Sequence, residues 1–190
     1  MTIALFFGSF NPIHNGHLGI AQFIIAENLA DELWFVVSPQ NPLKDKNILV
    51  SDVHRLNMAR LAILNCKQMK VSDIESNLPK PSFTIDTMNF LENSYPNQQW
   101  KIIMGSDGLS NFGKWKNYNE LITRYKRLVY PRLGDSIENL PFMENTQLID
   151  APLLDISSTE IRDAISKKID IERYLPNEVY NYIKTNKLYI

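Results

Sequence analysis

The chain has 190 residues, enough for one domain with a substantial core, and its 44% hydrophobic and 22% charged content excludes a disordered or fibrous class. A net charge of -1 excludes a broad polyanion-binding surface, so no nucleic-acid partner is expected and any phosphate chemistry needs a local cluster of cations. The single cysteine, Cys66, excludes an internal disulfide and a cysteine-rich zinc site. No apolar run has membrane-spanning length or the form of a signal-peptide core, so a cytoplasmic protein without a membrane partner is expected.

In chain order, "TIALFF" (2–7) reads as a buried strand and "HLGIAQFIIAENLA" (17–30) as a helix with apolar residues at helical spacing. "ELWFVVS" (32–38) is a second strand, continuously apolar as when both sheet faces are covered. A polar loop, "PQNPLKDKN", leads to the helix "SDVHRLNMARLAILN", which Ser51 or Asp52 can cap. "MKVSDI" is a short third strand, "SFTIDTMNFLENSYP" holds a helix ended by Pro96, and "QQWKIIMG" is a fourth strand. Residues 106–132 suggest two short helices and then the strand "RLVYP". "TQLIDAP" is a sixth strand, and "SSTEIRDAIS" and "PNEVYNYIKTN" are closing helices. Alternating strands and helices predict an α/β fold: a single domain, residues 1–190, with a mostly parallel sheet flanked by helices. Ligands in such sheets bind beyond the carboxyl ends of the strands, where strand order reverses.

Two stretches carry chemistry. In "GSFNPIHNGH" (8–17), Gly8 and Gly16 allow tight turning, and the free amides of the following helix offer an anion site. His14 and His17 can each donate a hydrogen bond to a phosphoryl oxygen; an isolated H-x-x-H would more often be a capped, solvated helix start. Zinc needs three or four protein ligands, and His54, the only other histidine, lies on a separate helix, so no metal site is expected. In "DISSTEIRDAI" (155–165), Ser157 and Glu160 match a capping box, whereas Ser158 and Arg162 share one helix face at i, i+4 spacing. Taken alone a capped helix explains this stretch; paired with the first turn it becomes half of a phosphate cradle.

"GLSNFGKW" (108–115) nearly matches a P-loop but places Trp115 where a magnesium-binding hydroxyl is required, and no G-x-G-x-x-G is present. No G-x-S-x-G elbow is present, so covalent catalysis is not indicated. Cations, hydroxyls and helix amides suit phosphoryl or nucleotidyl transfer.

"GSFNPIHNGH" and "ISSTEIR" resemble the paired signatures of the nucleotidylyltransferases, which have a Rossmann-like fold. Within that superfamily the chain is most similar to the bacterial nicotinate-nucleotide adenylyltransferases, through "NPLK" (41–44), "HRLNMARLAI" (54–63), "PSFTIDTMNFL" (81–91), "IIMGSDGLSNFGKWKNYNEL" (102–121) and the tail "RYLPNEVYNYIKTNKLY" (173–189). Phe7, Ser9 and Asn11 depart from the family's usual "GGTFDP", and Phe83 from a common Tyr; Asn11 is expected to remove a negative charge near the phosphates.

The resemblance implies adenylyl transfer from ATP to nicotinate mononucleotide, giving deamido-NAD and pyrophosphate, with Mg²⁺ carried mainly by the ATP phosphates. It assigns His14, His17 and Arg162 to catalysis. ATP would contact Gly8, Ser9, Phe10, His14, His17, Gly105, Asp107, Ile156, Ser158 and Arg162. The mononucleotide would contact Ser9, Lys44, Arg55, Trp115 and the backbone of Thr84 and Ile85. For Arg55 a surface helix cation is an equal alternative, Trp115 can be ordinary core, and Asp107 can be a helix N-cap. Transfer to nicotinamide mononucleotide or phosphopantetheine, or a non-catalytic nucleotide-binding module, are the rival readings. Monomer and homo-oligomer both stay open.

Overall fold

The computed structural model describes residues 1–39, 49–132, 140–152 and 155–190. Six parallel strands form one sheet in the order β3-β2-β1-β4-β5-β6. They are β1 (Thr2–Gly8), β2 (Glu32–Val37), β3 (Met69–Ser72), β4 (Gln99–Gly105), β5 (Lys126–Tyr130) and β6 (Thr146–Leu148). The helices are α1 (Asn15–Ala26), α2 (Asp52–Ala62), α3 (Thr84–Ser94), α4 (Ser106–Ser110), α5 (Tyr118–Arg124), α6 (Ser158–Ser166) and α7 (Asn177–Thr185). Every strand and helix expected from periodicity is present, and the strand order is that of a Rossmann-like doubly wound sheet.

Alternation along β1 explains the layering. Ala4 and Phe6 point into one core, with Leu18, Ala21 and Ile24 of α1, Met58 of α2, Ile161 of α6 and Val179 of α7. Ile3 and Leu5 point into the other, with Ile85, Met88 and Leu91 of α3, Leu109 of α4 and Leu121 of α5. The order reverses between β1 and its neighbours β2 and β4, so the carboxyl ends at Gly8, Val37 and Gly105 open on one crevice. Two buried arginines brace the fold. Arg127 of β5 donates to the carbonyls of Leu121, Phe142 and Glu144, and Arg55 of α2 acts beside the crevice.

Candidate active site

β1 ends at Gly8, and the chain then folds back on itself. Phe10 adopts a φ of 46°, and its ring lies so close that a Cβ on residue 8 would stand 2.7 Å from Cζ. Glycine is therefore required at 8 by close approach. The Phe10 ring is buried edge-on against Phe6, Phe35 and His17. Its ring fills the core beneath the turn, so within the turn Phe10 presents its backbone rather than its side chain.

His14 takes the N-cap position of α1 with extended backbone and is buried. Burial and the nearby Arg132 lower its pKa to about 4, with Glu160 opposing them, so the imidazole is neutral at pH 7. The His17 ring lies 3.8 Å away, centroid to centroid, and its Nδ1 accepts the His14 backbone N–H at 3.3 Å. That bond places the proton of neutral His17 on Nε2.

The second signature closes onto the first. Ser157 and Glu160 form the expected capping box at the start of α6. Ser158 Oγ donates to the Pro12 carbonyl at 2.9 Å, and Arg162 donates to the Asn11 carbonyl at 2.9 Å and to Thr159 Oγ1 at 3.2 Å. The two motifs thus meet, with Ser158 and Arg162 engaged by the turn itself. Asn11, which stands where the family commonly has Asp, turns its side chain inward. Its side chain is buried, and Oδ1 accepts the Val50 N–H and the Tyr189 hydroxyl.

Above this junction is a cleft of about 340 Å³ lined by His14, Gly16, His17, Asp107, Tyr130, Arg132, Ile156, Ser157 and Glu160, among others. His14, His17, Asp107 and Ile156 are expected site residues, and here they share one space. Gly105, not Asp107, is the N-cap of α4, and a Cβ on it would meet Asp107 Oδ1 at 2.6 Å. Asp107 instead pairs with Arg132 at 2.8 Å. Burial pushes the Tyr130 hydroxyl up to about 12, so it remains a neutral donor. Tyr130 and Arg132 are site residues that sequence reasoning missed. Their position directly after a predicted strand, in "VYPR", was the available signal.

A second cavity of about 210 Å³ lies beyond Gly8, lined by Phe7, Gly8, Ser38, Glu75, Ser82, Phe83, Thr84, Lys114, Trp115 and Lys116. Thr84 and Trp115 both wall this cavity, and Trp115 is half-buried against Phe112. Phe83 caps α3 without a side-chain hydrogen bond, so the first helix amides, at Thr84 and Ile85, have no acceptor within the helix. The Ile85 side chain is core, so only its amide can serve a ligand. Ser9, next to Gly8, is buried with an unpartnered hydroxyl. Lys44 and its "NPLK" stretch lie outside the described residues.

Arg55 is not a surface cation. It is fully buried, and its N–H groups go to the carbonyls of Val50, Ser9, Ser38 and Pro39 and to Asp52 Oδ1 at 2.5 Å. All five guanidinium N–H groups are consumed. It positions the first turn and the end of β2 from below.

Among the described residues no three His, Cys, Asp or Glu side chains converge as metal ligands, and no helix is long and apolar enough to cross a membrane. Residues 5–164 match the cytidylyltransferase-like family. A protein of Flavobacterium johnsoniae named probable nicotinate-nucleotide adenylyltransferase is 42% identical over 191 residues, covering 100% of this chain and 99% of that one. One of the same name from Cytophaga hutchinsonii is 42% identical over 189 residues, covering 100% and 98%. The solved Plasmodium falciparum nicotinic acid mononucleotide adenylyltransferase complexed with NaAD superposes with a TM-score of 0.85 at 25% identity, covering 99% of this chain and 97% of that one. Full-length identity of this order, over a sheet whose two signatures meet at one crevice, makes the chain a member of the nicotinate-nucleotide adenylyltransferase family.

Proposed function

We propose that the chain transfers the adenylyl group of ATP to nicotinate mononucleotide, with ATP in the His14–His17 cleft and the mononucleotide in the cavity beyond Gly8. The observation that supports this reading is a pair of spaces at the carboxyl end of the sheet, one walled by both histidines and the other by Gly8, Trp115 and the opening of α3. The acceptor's 5′-phosphate oxygen attacks the α-phosphorus in line, forming the new P–O bond as the bond to the β-phosphate oxygen breaks. Pyrophosphate leaves with that electron pair, and no covalent bond to the protein forms.

The chain supplies positioning and neutralisation of charge. His17 donates from Nε2, His14 donates as a neutral imidazole, and the α1 amides add their partial positive charge. Arg132 is the cation nearest to hand on the cleft wall, held by Asp107. Arg162 spends N–H groups on Asn11 and Thr159, so its part is first to fix the turn and then to add charge to the triphosphate. ATP enters as its Mg²⁺ complex, the metal being carried by the phosphates. The α3 amides of Thr84 and Ile85 receive the nicotinate carboxylate, and Trp115 flanks its ring.

Pyrophosphate release from MgATP, with nicotinate mononucleotide, nicotinamide mononucleotide and phosphopantetheine offered in parallel, tests this. The nicotinate acceptor should be preferred, and preference for phosphopantetheine would sink the reading. His17→Ala should lower kcat at least about 100-fold with an unchanged circular dichroism spectrum; near-normal turnover would remove His17 from catalysis.

A further inference from the structure

Behind the acceptor cavity lies a buried polar cluster that adenylyl transfer does not use. Glu75 occupies the 3-10 turn Ile74–Asn77 after β3 and is 2% exposed. Its Oε1 accepts the hydroxyl of Thr87 at 3.0 Å, and Thr87 is fully buried within α3. Its Oε2 is buried without a hydrogen-bond partner, as is the hydroxyl of Ser82. Glu75 and Ser82 both wall the cavity, beside Thr84 and Trp115.

Among the described residues no cation pairs with this carboxyl. Across the cavity, Lys114 Nζ is held by Asn111 Oδ1 at 2.8 Å, and Lys116 is paired with Asp86 of α3 at 2.9 Å. β1 carries no titratable residue, and β2 only Glu32, at its far end and paired with Lys70. Asp73 and Lys80, on either side of the turn, are exposed. Burial raises the Glu75 pKa, and the nearby hydroxyls of Ser38, Thr87 and Ser82 pull the other way. None of the three leaves Oε2 with a well-formed bond.

We propose that Glu75 is a specificity-determining residue that senses acceptor charge: it is neutral when the cavity holds an acceptor whose ring bears a carboxylate, and free to ionise when the ring bears an amide. The proposal rests on the reading that the acceptor ring occupies this cavity. Two carboxylates facing one pocket do not both stay charged, and Glu75, whose Oε2 has no donor, takes the proton while the acceptor's carboxylate is met by the α3 amides. An anionic acceptor therefore binds with uptake of one proton from solvent onto Glu75, with no other bond made or broken. An amide acceptor brings no such charge to the ring end and binds without that proton. Above the pKa of free Glu75, affinity for the acid should fall by up to about tenfold per pH unit, and affinity for the amide should not.

The test is calorimetric titration of the whole chain with nicotinate and nicotinamide mononucleotides, in two buffers of different ionisation enthalpy, between about pH 6 and 9. Both acceptors carry the same 5′-phosphate, so the difference between them isolates the ring substituent. The acid should take up close to one more proton than the amide at the upper end of the range. Glu75→Gln, which keeps an oxygen for Thr87 to donate to, should abolish that difference and flatten the pH dependence of acid binding. Equal uptake by the two acceptors in the wild-type chain overturns the proposal without any variant, and so does an uptake difference that survives in Glu75→Gln. Binding of neither acceptor, with adenylyl transfer also absent, would overturn the acceptor reading and the proposal with it.

Discussion

The histidine cleft and the cavity beside Gly8 are built on opposite plans. Around the histidine cleft, distant segments are tied to one another through the first turn: Ser158 to the Pro12 carbonyl, Arg162 to the Asn11 carbonyl, Tyr189 to the Asn11 side chain. The second cavity is assembled from the end of β2, the 3-10 turn after β3, the start of α3 and the segment through Trp115, and it keeps two buried oxygens unspent. A triphosphate is gripped by charge and amides, which a rigid frame presents well. An acceptor ring that differs from its rival by one substituent is told apart by groups left unmatched until it binds.

Arg55 spans both plans, which makes its removal the most severe test of the comparison. Its guanidinium holds Ser9 on one side and Ser38 and Pro39 on the other. Arg55→Leu should cost about 3–5 kcal/mol, because buried carbonyls lose their only charged donor. Chemical denaturation measures this. If the loss is under about 1 kcal/mol, the turn and the cavity wall are not braced from below as described.

How much was legible follows from the same contrast. The sheet was legible because β1, β2 and β4 are buried on both faces and read as continuous apolar runs. The cleft was legible because its two signatures are contiguous in sequence and meet in space. Glu75 was not: in "SDIES" it looks like a solvated turn acid, and only the tertiary packing of Thr87 and Ser82 over it shows otherwise. Arg55 misled for a related reason. The polar residues around it in α2 suggest an exposed face, whereas backbone carbonyls from three segments, at Ser9, Ser38–Pro39 and Val50, fold over its guanidinium. The inward role of the Asn11 side chain was not legible either, because its partner, Tyr189, lies at the other end of the chain.

The cleft also stores a pH dependence. Unfolded His14 takes a proton below about pH 6.5, whereas the folded imidazole refuses it until about 4. The unfolded state therefore binds more protons in that window, and stability is lost as pH falls through it, by about 3 kcal/mol in all. Denaturation midpoints between about pH 7 and 4 should show this fall, and His14→Asn should remove most of it. A slope unchanged by that substitution would assign the acid sensitivity to groups outside the cleft.

The smallest expected effect discriminates best between the two plans. Tyr189→Phe deletes one hydroxyl and leaves Asn11 Oδ1 with the Val50 N–H, so the fold should lose only about 1 kcal/mol, or about 2–4 °C in Tm. The kinetic consequence should be one-sided. The carbonyl of the same Asn11 receives Arg162, so a loosened Asn11 disturbs the floor of the histidine cleft before it reaches the acceptor wall. KM for ATP should rise while KM for the mononucleotide stays near its wild-type value. An equal rise in both would mean that the two spaces share one mechanical frame, and that the contrast between a tied cleft and an unspent cavity is one of inventory rather than of rigidity.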